Sequence, residues 1–150
     1  MTAVRNEADQ GQRSVLADRF GRGLMAFNAL LTIGAVIYGV TMLLQASPDT
    51  LVVEAWRTFG FLVFLSLNLM VALWPRKIAG AWELILLHKI AVTVFAMAVG
   101  SANEAEATAW IDGWLVITTI LAYVLCRGWL AWGTLRETGR DTRNLATTSA

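Results

Sequence analysis

The chain has 150 residues, of which 57% are hydrophobic and 15% charged, against about 45–50% and about 25% in a typical soluble domain. A soluble domain of this length keeps about 30% of its unfolded surface in water, and this composition cannot make such an exterior polar, so the apolar excess must face lipid. The net charge of +1 gives no reason to expect nucleic acid, and one cysteine with one histidine excludes an intrachain disulfide and a structural zinc site, which takes about four ligands.

In chain order, residues 1–12 are polar and lack periodicity, which predicts a disordered start. Ser14 is placed to cap a short helix whose Val15, Leu16 and Phe20 share a face, with Arg13, Asp18, Arg19 and Arg22 at polar positions. This is either an interfacial lead-in or the first turns of a span. Residues 23–48 carry no charge, well beyond the ~20 residues that a helix rising 1.5 Å per residue needs to cross ~30 Å of hydrocarbon. A cleaved signal peptide would have an apolar core of only ~7–15 residues, so the run reads as a retained span. Residues 58–75 form a second uncharged run. Trp74-Pro75-Arg76-Lys77 closes it as a tight turn, because proline cannot donate to a continuing helix and disfavours helix in the residue before it. The third stretch, 78–103, is long enough but carries Glu83, His88 and Lys89. The fourth, 110–132, is interrupted near its ends by Asp112 and Arg127. Residues 136–150 have no large apolar run and read as a free tail.

The seven tryptophans give an independent check, since the indole prefers the headgroup level, where its body is dry and its N–H wet. Trp56 and Trp74 flank span two, Trp82 opens span three, Trp110 and Trp114 open span four, and Trp129 and Trp132 close it. Orientation follows from the Lys/Arg bias of short loops. Arg5, Arg13, Arg19 and Arg22 precede span one, Arg76 and Lys77 join spans two and three, and Arg127, Arg136, Arg140 and Arg143 follow span four. The other two loops carry Asp49, Glu54, Glu104, Glu106 and Asp112 against Arg57 alone. Both termini are therefore expected on the cytoplasmic side of a plasma membrane, the inner membrane in a bacterium. The expected fold is an all-α integral membrane four-helix bundle, N-in/C-in. It has a cytoplasmic segment with a short amphipathic lead-in at 1–22, a four-span domain at 23–132 (spans at about 23–46, 57–74, 82–103 and 110–132), and a cytoplasmic tail at 133–150. Ala35 with Gly39, and Ala96 with Gly100, are small-xxx-small pairs that permit close helix approach.

Ionisable groups inside a span cost about 2.5–3.5 kcal/mol on insertion scales and so raise a functional hypothesis. With Trp82 at the inner interface, Glu83 lies at headgroup level and the hydrocarbon portion of span three begins at about Leu84. His88 then lies ~9 Å inward, with Lys89 slightly deeper and able to extend its stem back to the surface if it faces lipid. On a helical wheel Glu83, His88 and Lys89 point in three different directions. Asn28, Asn68 and Tyr123 sit at the same offset from Arg22, Trp74 and Trp129 as His88 does from Trp82, so each span places one hydrogen-bonding side chain near a common level. Asn28, Asn68, His88 and Tyr123, with Lys89 or Glu83 beside them, are candidates to line a polar pocket open toward the cytoplasm. The plainer account is that they are structural hydrogen bonds between helices.

One histidine cannot supply bis-His haem ligation, no Cys/His spacing supports a metal site, and no phosphate-binding glycine loop is present, so no cofactor is expected. A proton-responsive histidine is chemically available. Glu83 is the one acid near a span interior on this reading, and its shallow position weakens a proton-coupled carrier. The four-span layout with Ala79-Gly80-Ala81-Trp82-Glu83-Leu84 at the start of span three resembles the DoxX-like group of small bacterial membrane proteins. That resemblance implies an accessory role beside membrane oxidoreductase or stress-related complexes. The leading expectation is a non-enzymatic accessory or assembly subunit in the bilayer, as a homodimer or with a membrane-complex partner, with a small-ligand pocket in the cytoplasmic half. A dimeric small transporter or proton-coupled carrier, and a subunit of a membrane oxidoreductase, are the alternatives.

Overall fold

A computed structural model describes residues 2–100 and 102–133, with side chains from residue 14 onward. The tail expected at 136–150, with Arg136, Arg140 and Arg143, lies outside the described residues. Four α-helices follow one another: α1 (Thr2–Leu44), α2 (Leu51–Leu73), α3 (Ala81–Val99) and α4 (Ala105–Cys126), with a 3-10 turn at Gly128–Leu130. Each contains a segment long and apolar enough to cross a membrane, Ser14–Leu44 in the case of α1. The helices run up and down as a bundle. One end holds the α2–α3 turn, Asp18, Arg22 and the 3-10 turn, and is called the turn end; the other holds the α1–α2 and α3–α4 connections and is called the loop end.

Helix boundaries depart from the charge-based reading in ways that have physical causes. The lead-in and the first span are a single helix that reaches back to Thr2, so residues 2–12 are helical rather than irregular. The first proline in the chain is Pro48, and nothing earlier forbids the backbone to continue. α2 begins at Leu51 and α4 at Ala105, several residues before the expected starts at 57 and 110. Glu54 and Asp112, taken for loop charges, are therefore helical and buried. A charge marks a helix end in the bilayer only when no partner meets it, and both of these have partners. α4 stops at Cys126, where Arg127 turns into the left-handed region at φ 52°, rather than continuing to 132.

The core gathers toward the turn end: Met25 from α1, Val71 and Ala72 from α2, Ala81, Trp82 and Ile85 from α3, and Ala122 and Cys126 from α4. Trp82 is the exception among the tryptophans. It is only 1% exposed and gives its indole N–H to the Pro75 carbonyl at 2.8 Å, whereas the other six remain exposed. It marks the level of the turn, as expected, but from inside the bundle and not as part of a lipid-facing belt. Gly128 makes room for it. A Cβ there would lie 2.4 Å from the Tyr123 ring and 2.8 Å from the Trp82 indole nitrogen.

Charged residues lock both ends. At the turn end Arg22 donates to the carbonyls of Ala72 at 2.8 Å and Leu73 at 3.2 Å, satisfying acceptors that the last turn of α2 would leave open, and Arg76 pairs with Asp18. At the loop end Glu104 accepts from Tyr38 at 2.8 Å and pairs with Arg57 at 3.1 Å, joining α1, α2 and the α3–α4 connection. Between the ends, α1 packs against both α2 and α4, and α3 packs against α4. Gly39 lies against Thr58, so the small residue of the Ala35/Gly39 pair does sit at a close helix approach. α2 and α3 meet over a smaller area than the other neighbouring helices, with Phe64 of α2 against His88 and Lys89 of α3.

Candidate functional site

Six of the buried polar side chains form two separate groups, and Glu54, Thr58 and Thr119 are buried outside them. The first is neutral and joins α1, α2 and α4. Asn68 donates to the Thr32 hydroxyl at 3.2 Å, and Thr32 donates to the Asn28 backbone carbonyl at 2.7 Å. The Asn28 side chain in turn donates to the Thr118 hydroxyl at 3.0 Å, which donates to the Trp114 carbonyl at 3.0 Å. Asn28 is completely buried and Asn68 2% exposed. The helix positions explain the arrangement: Asn28 and Thr32 are one turn apart on the inner stripe of α1, so a single pair of side chains reaches α4 on one side and α2 on the other.

The second group is ionic. Lys89 of α3 meets Asp112 of α4 at 2.5 Å, and each residue is 8% exposed. The ammonium also lies 4.9 Å from the centre of the Phe64 ring of α2, which adds a cation–π contact. Lys89 therefore faces into the bundle, and its stem runs toward Asp112 rather than back to the cytoplasmic surface as a lipid-facing lysine would. Against the expectation from the sequence, Glu83 is not the one acid near a span interior: Asp112 sits about 10 Å inside α4 from its first residue. The sequence did carry a signal for this: an ionisable residue far inside one span calls for an opposite charge, and Asp112 was the acid available in the next apolar run.

Glu83, Tyr123 and Trp132 form a third cluster at the turn end. One carboxylate oxygen of Glu83 accepts from the Tyr123 hydroxyl at 3.2 Å and from the Trp132 indole at 2.9 Å, while the other is buried without a hydrogen-bond partner. The Tyr123 ring packs edge-on to Trp82 and Trp129 at 5.7 Å each. His88 belongs to none of these groups. It is exposed on the outside of α3, its ring 4.2 Å from that of Phe64, and makes no hydrogen bond among the described residues.

Of the six candidate residues, the structure brings Asn28 and Asn68 into one network and Glu83 and Tyr123 into another. Lys89 goes to Asp112, and His88 goes outward. The common depth inferred for them does not translate into a shared cavity, because residues at one level of a bundle still point around a full circle. Thr32, Thr118 and Asp112 complete the networks and were missed. Threonines are compatible with a lipid-facing helix surface, so their presence in a span carries no signal of its own. Thr119, 1% exposed with an unpartnered hydroxyl, lies on the same stripe of α4 as Asp112, two turns toward the turn end. No group of three or more His, Cys, Asp or Glu residues suited to a metal ion occurs among the described residues.

No family model matches the chain, and neither a curated protein nor a solved structure does.

Proposed function

We propose that this chain is an accessory or assembly subunit of a membrane complex, non-enzymatic in itself, that works through the outer faces of its helices. One contrast carries the reading: Asn28, Thr32, Asn68, Thr118, Lys89 and Asp112 are spent on one another inside the bundle, while the imidazole of His88 is turned outward. A polar side chain presented to hydrocarbon without a partner is unfavourable, and a neighbouring helix relieves it. The partner is a second copy of the chain or another membrane protein. The Lys/Arg bias supports a plasma membrane location with cytoplasmic termini, and the resemblance to the DoxX-like group supports an accessory role. Extraction of the full chain from its own membrane in mild detergent, followed by native mass spectrometry, tests the proposal. A dimer or a stoichiometric complex is expected; a monomer carrying lipid alone overturns it. A reporter fused after residue 150 tests the orientation, and a reporter active only outside the cytoplasm would reverse it.

Asp112 favours a second reading, a proton-coupled carrier. A carboxylate paired with an ammonium inside a span is an arrangement found on ion and proton pathways, and the smaller α2–α3 contact lies beside it. Proton flux into proteoliposomes carrying the full chain decides the matter. Flux that is above the lipid background and lost in Asp112→Asn supports the carrier, and flux equal to background removes it. A small-ligand role attaches most readily to the turn end, where Glu83 keeps one buried oxygen unpartnered beside Tyr123. A copurifying small molecule that is lost in Glu83→Gln would support that role, and retention in the variant would oppose it.

A further inference from the structure

Thr119 stands apart from the other buried threonines. Thr32, Thr58 and Thr118 each donate to the carbonyl four residues back, the usual outlet for a threonine inside a helix, whereas the Thr119 hydroxyl is 1% exposed at its residue and has no hydrogen-bond partner. It lies seven residues after Asp112 and four before Tyr123, the two side chains through which α4 bonds to Lys89 and Glu83 of α3. Those intervals keep all three within about 40° on the helix, so Thr119 is on the face that α4 turns to α3. The register of the two helices decides what can reach it. They are antiparallel, with the Thr93 methyl beside Gly113 and Glu83 bonded to Tyr123. The α carbon of Lys89 therefore lies opposite the stretch of α4 between Asp112 and Thr119, nearer the level of Thr119. Its stem runs toward the loop end to meet Asp112, and the same stem swung toward the turn end brings the ammonium to Thr119.

We propose that the Thr119 hydroxyl is the second resting place of the Lys89 ammonium, taken when Asp112 binds a proton. The inference rests on the carrier reading above and supplies its conformational step. The proton comes from the loop end, where Asn103, Glu104, Glu106 and Trp110 line an open cavity of about 600 Å³. One O–H bond forms on Asp112, the carboxylate becomes a neutral acid, and the ion pair is lost, while Lys89 keeps its three protons. An ammonium without a counter-charge inside a span is costly, and the free hydroxyl lessens that cost by accepting one of its N–H groups. The Phe64 ring, 4.9 Å from the ammonium, offers an aromatic face beside the route. The other groups packed around the pair do not compete: α1 brings the neutral Asn28 and Thr32 to this depth, and His88, which interacts electrostatically with both Lys89 and Asp112, is turned to the outside of α3. The swing moves a positive charge about 10 Å toward the turn end and opens the bond that fastens α3 to α4. Departure of the proton restores the carboxylate and draws the ammonium back.

A double-mutant cycle in the full chain tests the switch, with Asp112→Asn imitating the protonated acid and reversible unfolding in mixed micelles as the readout. In the native background Thr119→Val removes an unpartnered buried hydroxyl, so the unfolding constant is expected to stay the same or fall. In the Asp112→Asn background the same change takes the acceptor from Lys89, and the unfolding constant is expected to rise about tenfold, the worth of a hydrogen bond to a charged group. Thr119→Ser keeps the hydroxyl and is expected to match threonine in both backgrounds. Equal effects of Thr119→Val in the two backgrounds overturn the switch. Proton flux into proteoliposomes gives a second readout that leaves Asp112 intact: Thr119→Val is expected to lower the flux about tenfold without loss of stability, and Thr119→Ser to retain it. Coupling between the two positions in a chain whose flux equals the lipid background supports the second resting place and overturns the carrier reading. Flux that Thr119→Val leaves unchanged, with no coupling, supports the carrier reading and overturns the switch.

Discussion

The two buried polar groups solve the same problem at different expense. The Asn28–Thr118 and Asn68–Thr32 network uses neutral side chains, each with a donor and an acceptor, and the threonines also bond to backbone carbonyls of their own helices. If one contact breaks, the hydroxyl keeps a partner one turn away. The Lys89–Asp112 pair has no such reserve. Among the described residues each charge pairs with the other, and the ammonium alone has the Phe64 ring besides. The first group is therefore tolerant and joins three helices, whereas the second is brittle and fastens α3 to α4. That brittleness matters because α3 meets α2 over a smaller area than it meets α4, so its position depends chiefly on α4.

Removing one member of the ionic pair should give the largest effect. Asp112→Ala leaves an uncompensated ammonium in a low-dielectric setting, which costs about 3–5 kcal/mol in buried pairs. Reversible unfolding in mixed micelles is expected to show that loss, and a change below about 1 kcal/mol would mean that the pair is solvated. Next in size is the contrast with the double variant Lys89→Met, Asp112→Leu. Replacing a buried pair with apolar residues of similar volume is often neutral or stabilising, so most of the stability should return. A double variant as unstable as the single one would show that packing around the pair, not its charge, was lost. If the double variant is stable yet loses the proton flux described above, the pair serves transport rather than architecture.

Gly128→Ala probes the packing that supports the turn end. The added methyl would fall within 3 Å of Tyr123 and the Trp82 indole, and overpacking of this kind costs about 1–3 kcal/mol. The neighbouring Glu83–Tyr123 hydrogen bond should be disturbed with it, readable as a change in tyrosine and tryptophan fluorescence. An unchanged spectrum and stability would show that the turn gives way easily.

How much of this was legible beforehand depends on the kind of signal. The four apolar helices were, because a bilayer imposes a length and a composition on any segment that crosses it, and residues 23–48 and 58–75 meet both without ambiguity. Helix ends were less so. Glu54, Arg57 and Asp112 were read as loop charges because hydropathy scores each residue as if it were alone, whereas Arg57 finds Glu104 and Asp112 finds Lys89 only after the helices pack. The polar layer was legible in depth and illegible in direction. Six residues between Trp82 and His88 fixes a height, but which neighbour a side chain meets depends on how each helix is rotated, and a single sequence holds no record of that rotation. His88 and Lys89, adjacent in sequence, show the consequence: one lies on the outside of the bundle beside Phe64 and the other meets an aspartate.

The smallest expected effect tests the tolerant half of the comparison. Thr118→Val keeps the shape of the side chain and removes the hydroxyl, so the Asn28 amide loses its acceptor while the Trp114 carbonyl keeps its helical bond. Hydrogen bonds of this type between membrane helices are worth about 0.6 kcal/mol on average and at most about 1.7. A loss near the lower figure is expected, because Asn28 is also 3.9 Å from the Met25 sulfur and its amide can turn toward it. A loss of 3 kcal/mol or more would place the neutral network in the same class as the ionic pair. In that case the tolerance attributed to threonine's second partner would be wrong, and the joint between α1 and α4 would depend on one hydroxyl in the way that α3 depends on Asp112.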